Sequence, residues 1–162
     1  MDLETIYLDK FNAEFPIAIS SCGVKEKLFL IDKNLLLVDH ERALQDLWNQ
    51  YFKYLENILA NELSLGNKLT IFAHNLSDFD GYILYNGLLK HYNPDHVTSL
   101  IDDTNTFISI VHNGFPDIEW KESLRIFPMS LDKLCKMFAV PGKISKYNDN
   151  FRDLSFFNDE IY

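Results

Sequence analysis

Residues 71–89, IFAHNLSDFDGYILYNGLL, limit the fold more than any other part of this chain. A short apolar run ends at Ala73. His74, Asn75, Phe79 and Asp80 follow, and Gly81 opens apolar residues at helical spacing. A buried strand that ends in a polar turn and leads into a helix is a unit of α/β sheets, which put their sites beyond strand ends. Each polar residue here also has a plain structural use. Asn75 suits a turn or a helix cap, and Asp80 favours the positive end of the helix it opens.

The chain has 162 residues, of which 47% are hydrophobic and 14% aromatic, enough for one domain around one core. No apolar run reaches the ~18 residues that a membrane-spanning helix needs. The opening MDLET is acidic at once, so neither a basic leader nor an Arg-rich presequence is read there. Cys22 and Cys135 lie far apart without zinc spacing, and both are expected to be free core thiols of a reducing compartment. A net charge of −9 disfavours a long duplex-binding face. It leaves room for a site that grips one strand end by stacking and metal ions.

Along the chain, residues 2–8 read as a strand in which Asp2 and Glu4 share one face and Leu3 takes the other. Two neighbouring carboxylates are either an exposed strand face or a divalent-cation site, and oxygen-only ligands favour Mg²⁺ or Mn²⁺. Residues 15–19 and 27–31 read as two more strands of an antiparallel meander, turning at Cys22, Gly23 and Lys25. Asp32, Lys33 and Asn34 break the pattern. Asp39 then caps a long helix with Leu44, Leu47, Trp48, Tyr51, Phe52, Leu55, Ile58, Leu59 and Leu63 at three-four spacing, and Gly66 stops it. A strand over 68–73 leads into a helix over 79–91. Residues 97–101 and 106–111 flank a hairpin turn, 123–127 read as a strand, and 131–138 as a short helix. Leu131, Leu134, Cys135 and Phe138 form that helix's apolar pattern. His91 and His112 are expected at the surface or in loops.

Asp-x-Glu at Asp2 and Glu4, then Asn75 with Phe79 and Asp80, form an order that resembles the DEDD 3′–5′ exonuclease family on the ribonuclease H-like fold. The wording HNLSDFDGYIL is most similar to family B DNA polymerases of the protein-primed, organellar and viral-plasmid type. Thr5 after Glu4, and Ser123, Leu124 and Phe127 as a Ser/Thr-Leu-x-x-hydrophobic motif, match the same subgroup. Lys143 or Lys146 with Tyr147 corresponds to its lysine–tyrosine element. The resemblance implies an α/β fold of the ribonuclease H-like kind, with a mixed sheet (an antiparallel meander plus a parallel strand) flanked by helices. It implies Asp2, Glu4 and Asp80 as metal ligands and catalytic carboxylates. It implies DNA contacts from Thr5, Asn75, Phe79, Ser123, Leu124 and Lys143. Two cations about 4 Å apart would stabilise both the attacking and the leaving oxygen of phosphodiester hydrolysis. Phe79 would stack on a terminal base of single-stranded DNA, reading the 3′ end and not its sequence.

The family's last motif, Tyr-x-x-x-Asp, is missing. Tyr147 is followed four positions later by Phe151, and Tyr162 is the final residue. The sequence therefore reads as part of a longer polymerase gene, with weakened or absent cleavage by this chain alone. The rest of the polymerase and a terminal protein are the implied partners, without a membrane. A mitochondrion is the implied setting, with a cytoplasmic plasmid or a virus as the alternative. The competing readings are a catalytically inactive ribonuclease H-like module that binds nucleic acid or protein, and a DEDD exonuclease acting on RNA.

Overall fold

The computed structural model describes residues 1–8, 10–21, 26–62, 68–113 and 117–141. It is a mixed α/β structure with two sheets and the helices that pack on them. Three strands, β1 (Asp2–Leu8), β2 (Ala13–Ser21) and β3 (Lys27–Leu30), form the antiparallel meander read from the sequence. Its ladder shifts register between Glu4 and Thr5, opposite Ala18 and Pro16. Pro16 has no N–H to give to a partner strand, which accounts for the irregularity. The shift switches the inward side: Leu3 is buried before it, Ile6 and Leu8 after it.

Two helices follow. The first, α1 (Lys33–Val38), was expected to be only a break in the pattern. Asp32 is its cap, with Oδ1 accepting from the amides of Asn34 at 2.9 Å and Leu35 at 3.0 Å. The second, α2 (His40–Glu62), is the long amphipathic helix, and Arg42 N donates to the Asp39 side chain at 3.1 Å as expected of a cap. Leu47, Trp48, Tyr51, Phe52 and Leu55 are buried along one stripe. Tyr51 meets both sheets. Its ring lies 5.7 Å edge-on from Phe29 of the meander, and its hydroxyl accepts the indole N–H of Trp120 at 3.2 Å. Burying a ring such as Trp120 contributes roughly 4–6 kcal/mol, taking its ~150–250 Å² at ~25 cal/mol per Å².

The second sheet has the order β4-β7-β6-β5. It contains β4 (Leu69–Ala73), β5 (Val97–Ile101), β6 (Phe107–His112) and β7 (Ile118–Glu122). β4 pairs with β7 in parallel, and β5, β6 and β7 pair antiparallel. The parallel strand thus lies in a ladder separate from the meander. The two sheets touch where the Met1 ammonium donates to Phe72 O at 2.9 Å. Between β4 and β5 runs α3 (Asp80–His91), then a single 3-10 turn, Pro94–His96. The last element of the described residues is α4 (Leu131–Met137). No helix of the described residues is long and apolar enough to cross a membrane.

Several expectations are corrected here. The strand read at 123–127 lies at Ile118–Glu122, and residues 124–127 turn. Alternation explains the shift: Ile118, Trp120 and Glu122 are buried while Glu119 and Lys121 are half-buried on the other face. His112 is 2% exposed, its ring stacked on Tyr92 at 4.1 Å, and His91 is half-buried against Phe52 at 4.8 Å. In α4 only Leu134 is buried. Leu131 is exposed, Phe138 just past the helix is 58% exposed, and the free thiol of Cys135 is half-buried. Cys22, Gly66, Lys143, Lys146 and Tyr147 lie outside the described residues.

Candidate functional site

Three turns gather at one end of the four-stranded sheet. β4 and β7 both finish there, at Ala73 and Glu122, and the hairpin between β5 and β6 closes at the same end because β6 runs against β7. The Ser123 amide extends the parallel pairing by donating to Ala73 O at 2.9 Å. The first turn carries His74, Asn75, Phe79 and Asp80, the second Ser123 and Leu124, and the third residues 102–106.

Most of the polar groups here hold the turns together. Asn75 has φ of +67°, a left-handed conformation that asparagine tolerates better than most residues. Its side-chain amide donates to Asp78 Oδ2 at 2.9 Å. Ser123 Oγ donates to Ala73 O at 3.1 Å and lies 3.1 Å from His74 Nδ1. A serine hydroxyl has one proton, so with that proton on Ala73 O the His74 Nδ1–H is the donor to Ser123. His74 Nε2 is then a bare acceptor, and it is buried without a hydrogen-bond partner among the described residues. Such an orphaned atom costs about 1–3 kcal/mol and calls for an explanation.

The expected site residues fall as follows. Asn75, Phe79, Asp80, Ser123 and Leu124 come together around the ends of β4 and β7. Phe79 stands immediately before α3 and is 42% exposed. Asp80 occupies the first turn of α3, where the helix dipole favours a carboxylate. Gly81 beside it has no room for a side chain: a Cβ would lie 2.5 Å from Leu76 O and 2.7 Å from the Phe107 ring. Asp2 follows directly on the residue bound to Phe72 O, so β1 opens beside the end of β4. Glu4 is half-buried two residues on, and Thr5 Oγ1 donates to Glu14 Oε1 at 2.8 Å. Lys143 lies outside the described residues.

Among the described residues, no three His, Cys, Asp or Glu side chains are grouped so as to hold a metal ion. Asp2, Glu4 and Asp80 as placed therefore do not make a three-donor cage, and no step through a metal follows from their geometry.

Two features were not read from the sequence. Glu122 is buried at the end of β7 and binds the backbone of the first turn at Asn75 and Ser77. Its signal was parity, since it continues the inward set of Ile118 and Trp120. The other is how the tip of the expected hairpin is held. Asp102 Oδ1 accepts from Thr104 N at 2.9 Å, Thr104 Oγ1 at 2.7 Å and Thr106 N at 3.0 Å. Its second oxygen accepts from Thr106 Oγ1 at 2.7 Å and pairs with Arg125. The Thr104 hydroxyl first, then the Thr106 amide and hydroxyl and Arg125, hold the Asp102 carboxyl well below the usual range. Tyr82 OH on α3 donates to Asn105 O at 2.9 Å. The tip is thereby fastened to the other two turns.

No family model, no curated protein and no solved structure matches this chain.

Proposed function

We propose that this chain is a 3′–5′ exonuclease module of the ribonuclease H-like kind, of the sort carried by protein-primed family B DNA polymerases, and that it takes the 3′ end of single-stranded DNA. The observation that carries the reading is the convergence of separate motifs on one sheet end. The Met1–Phe72 hydrogen bond brings the opening of β1 beside the end of β4. The turn after β4 supplies Phe79 and Asp80, and Ser123 bonds directly to Ala73 O. The Phe79 ring, 42% exposed just before α3, offers a stacking face for a terminal base.

A second reading is a module that binds the strand end without cutting it. The internal use of Asn75 and Ser123 in holding their own turns favours it. One experiment separates the two. A single-stranded oligonucleotide labelled on its 3′ nucleotide is incubated with Mg²⁺ or Mn²⁺ and with wild type, Asp2→Ala or Asp80→Ala. Release by wild type and not by the variants supports the exonuclease. Binding without release by all three supports the second reading. Equal release by all three, or no binding by any, overturns the proposal.

A further inference from the structure

We propose that Glu122 is the positioning residue of this site, clamping the turn after β4 to the turn after β7 and so fixing the aim of His74, Asn75 and Phe79. What those side chains meet rests on the strand-end reading above; the clamp itself rests on geometry alone. Glu122 is 3% exposed, and among the described residues it is the one buried acid. Taking a carboxylate out of water costs several kcal/mol unless hydrogen bonds replace the water. Ile118 and Trp120 precede it on the same face, so a leucine would continue the core without that cost.

The replacement bonds are all from backbone. Oε1 accepts from Asn75 N at 2.9 Å and from Leu124 N at 2.6 Å, and Oε2 accepts from Ser77 N at 2.8 Å. Three N–H donors on two oxygens match a group that only accepts. Asn75 and Ser77 belong to the turn that carries the candidate site, whereas Leu124 belongs to the turn after a different strand. One side chain therefore ties two loops that are otherwise joined through Ser123. It also holds the Asn75 amide where the left-handed φ of +67° requires it. Asn75 O in turn accepts Asp78 N at 3.5 Å, and Leu76 O accepts Gly81 N at 2.8 Å, so the clamped segment runs without a gap into α3.

The test is Glu122→Gln, which keeps the shape and replaces one oxygen with an NH₂ that faces a donor. Backbone amide exchange is followed by NMR in wild type and variant. Binding of a 5′-fluorescein single-stranded oligonucleotide is followed by anisotropy. The expected result is exchange at Asn75, Ser77 or Leu124 faster by about tenfold or more, with Ile110 and Trp120 unchanged, since opening is local. Oligonucleotide affinity is expected to fall by a similar factor. Tyr51→Phe, which loosens the core at Trp120 on the same strand and breaks no side-chain hydrogen bond to either turn, serves as the control for general destabilisation and should leave affinity unchanged. Unchanged exchange at all three amides overturns the clamp. Faster exchange with unchanged affinity, or an equal loss of affinity in Tyr51→Phe, overturns its positioning role. If wild type binds no oligonucleotide, the strand-end reading fails, and the exchange data still decide the clamp. If Glu122→Gln does not fold, Glu122→Asp, too short to reach both loops, is read in the same way.

Discussion

Replacing Gly87 by alanine should destabilise the protein, although the same change in an exposed helix would stabilise it. Gly87 sits inside α3, where a glycine-to-alanine change gains about 1 kcal/mol from helix propensity. Here the new Cβ would lie 2.6, 2.8 and 2.9 Å from three atoms of the Trp48 indole on α2. The ring has little freedom to retreat, because it is buried, stacked on Phe52 at 5.3 Å and edge-on to Tyr51 at 6.1 Å. Overpacking of this kind costs about 1–3 kcal/mol, and the poor freedom of the ring puts it toward the upper end. Subtracting the propensity gain leaves a net loss of about 1–2 kcal/mol. At ~3 °C per kcal/mol for a chain of this size, thermal melting followed by circular dichroism should fall by about 3–6 °C. A double-mutant cycle isolates the cause: in a Trp48→Leu background, Gly87→Ala should turn stabilising by roughly 1 kcal/mol. A rise in melting temperature on Gly87→Ala with Trp48 present would refute the packing argument.

Tyr51→Phe removes the acceptor of the Trp120 indole N–H and leaves a buried donor without a partner. Urea unfolding should show a loss of about 1–3 kcal/mol, and a change within error would mean that the bond contributes nothing net. Phe79→Ala should weaken single-stranded oligonucleotide binding by about 1–3 kcal/mol, roughly 5- to 150-fold, for every base at the 3′ end alike. A loss confined to one base would point to edge recognition and away from stacking. Burial, helped by Lys53 and His112 and opposed by Glu56, lowers the His91 pKa from its ordinary 6.5. The neutral imidazole is therefore favoured by folding, and its contribution is present above about pH 6.5 and lost as pH falls below it. The urea midpoint of wild type should drop between pH 7.5 and 5.5, and His91→Gln should flatten part of that drop. An equal drop in both proteins would clear His91 of the effect.

The elements legible in the sequence were those whose period is carried by apolar residues. The apolar positions from Leu44 to Leu59 gave α2 its place, with Leu63 outside the described residues, and the alternation of the first three strands gave the meander. β7 was misplaced because its inward set ends in a glutamate, and charge on a buried face disguises a strand. α1 was hidden because its cap, Asp32, is also a turn residue, and only the amides of Asn34 and Leu35 on its carboxylate decide between the two roles. Buried His112 could not be foreseen, since the Tyr92 ring it stacks on comes from elsewhere in the chain. At the site, the turn around Asn75 and Phe79 was readable as a cluster. That β4 takes β7 as its parallel partner, and that the meander meets it through Met1, are long-range facts that no local spacing encodes.

Because the Tyr51 side chain touches a ring of one sheet and an indole of the other, neither sheet can lose its contact with α2 without disturbing the other's. Denaturant should therefore melt both sheets in one cooperative step, with coincident curves from the Trp120 environment and from backbone ellipticity. The amides around Tyr51 should be the last to exchange, opening only when the whole fold does.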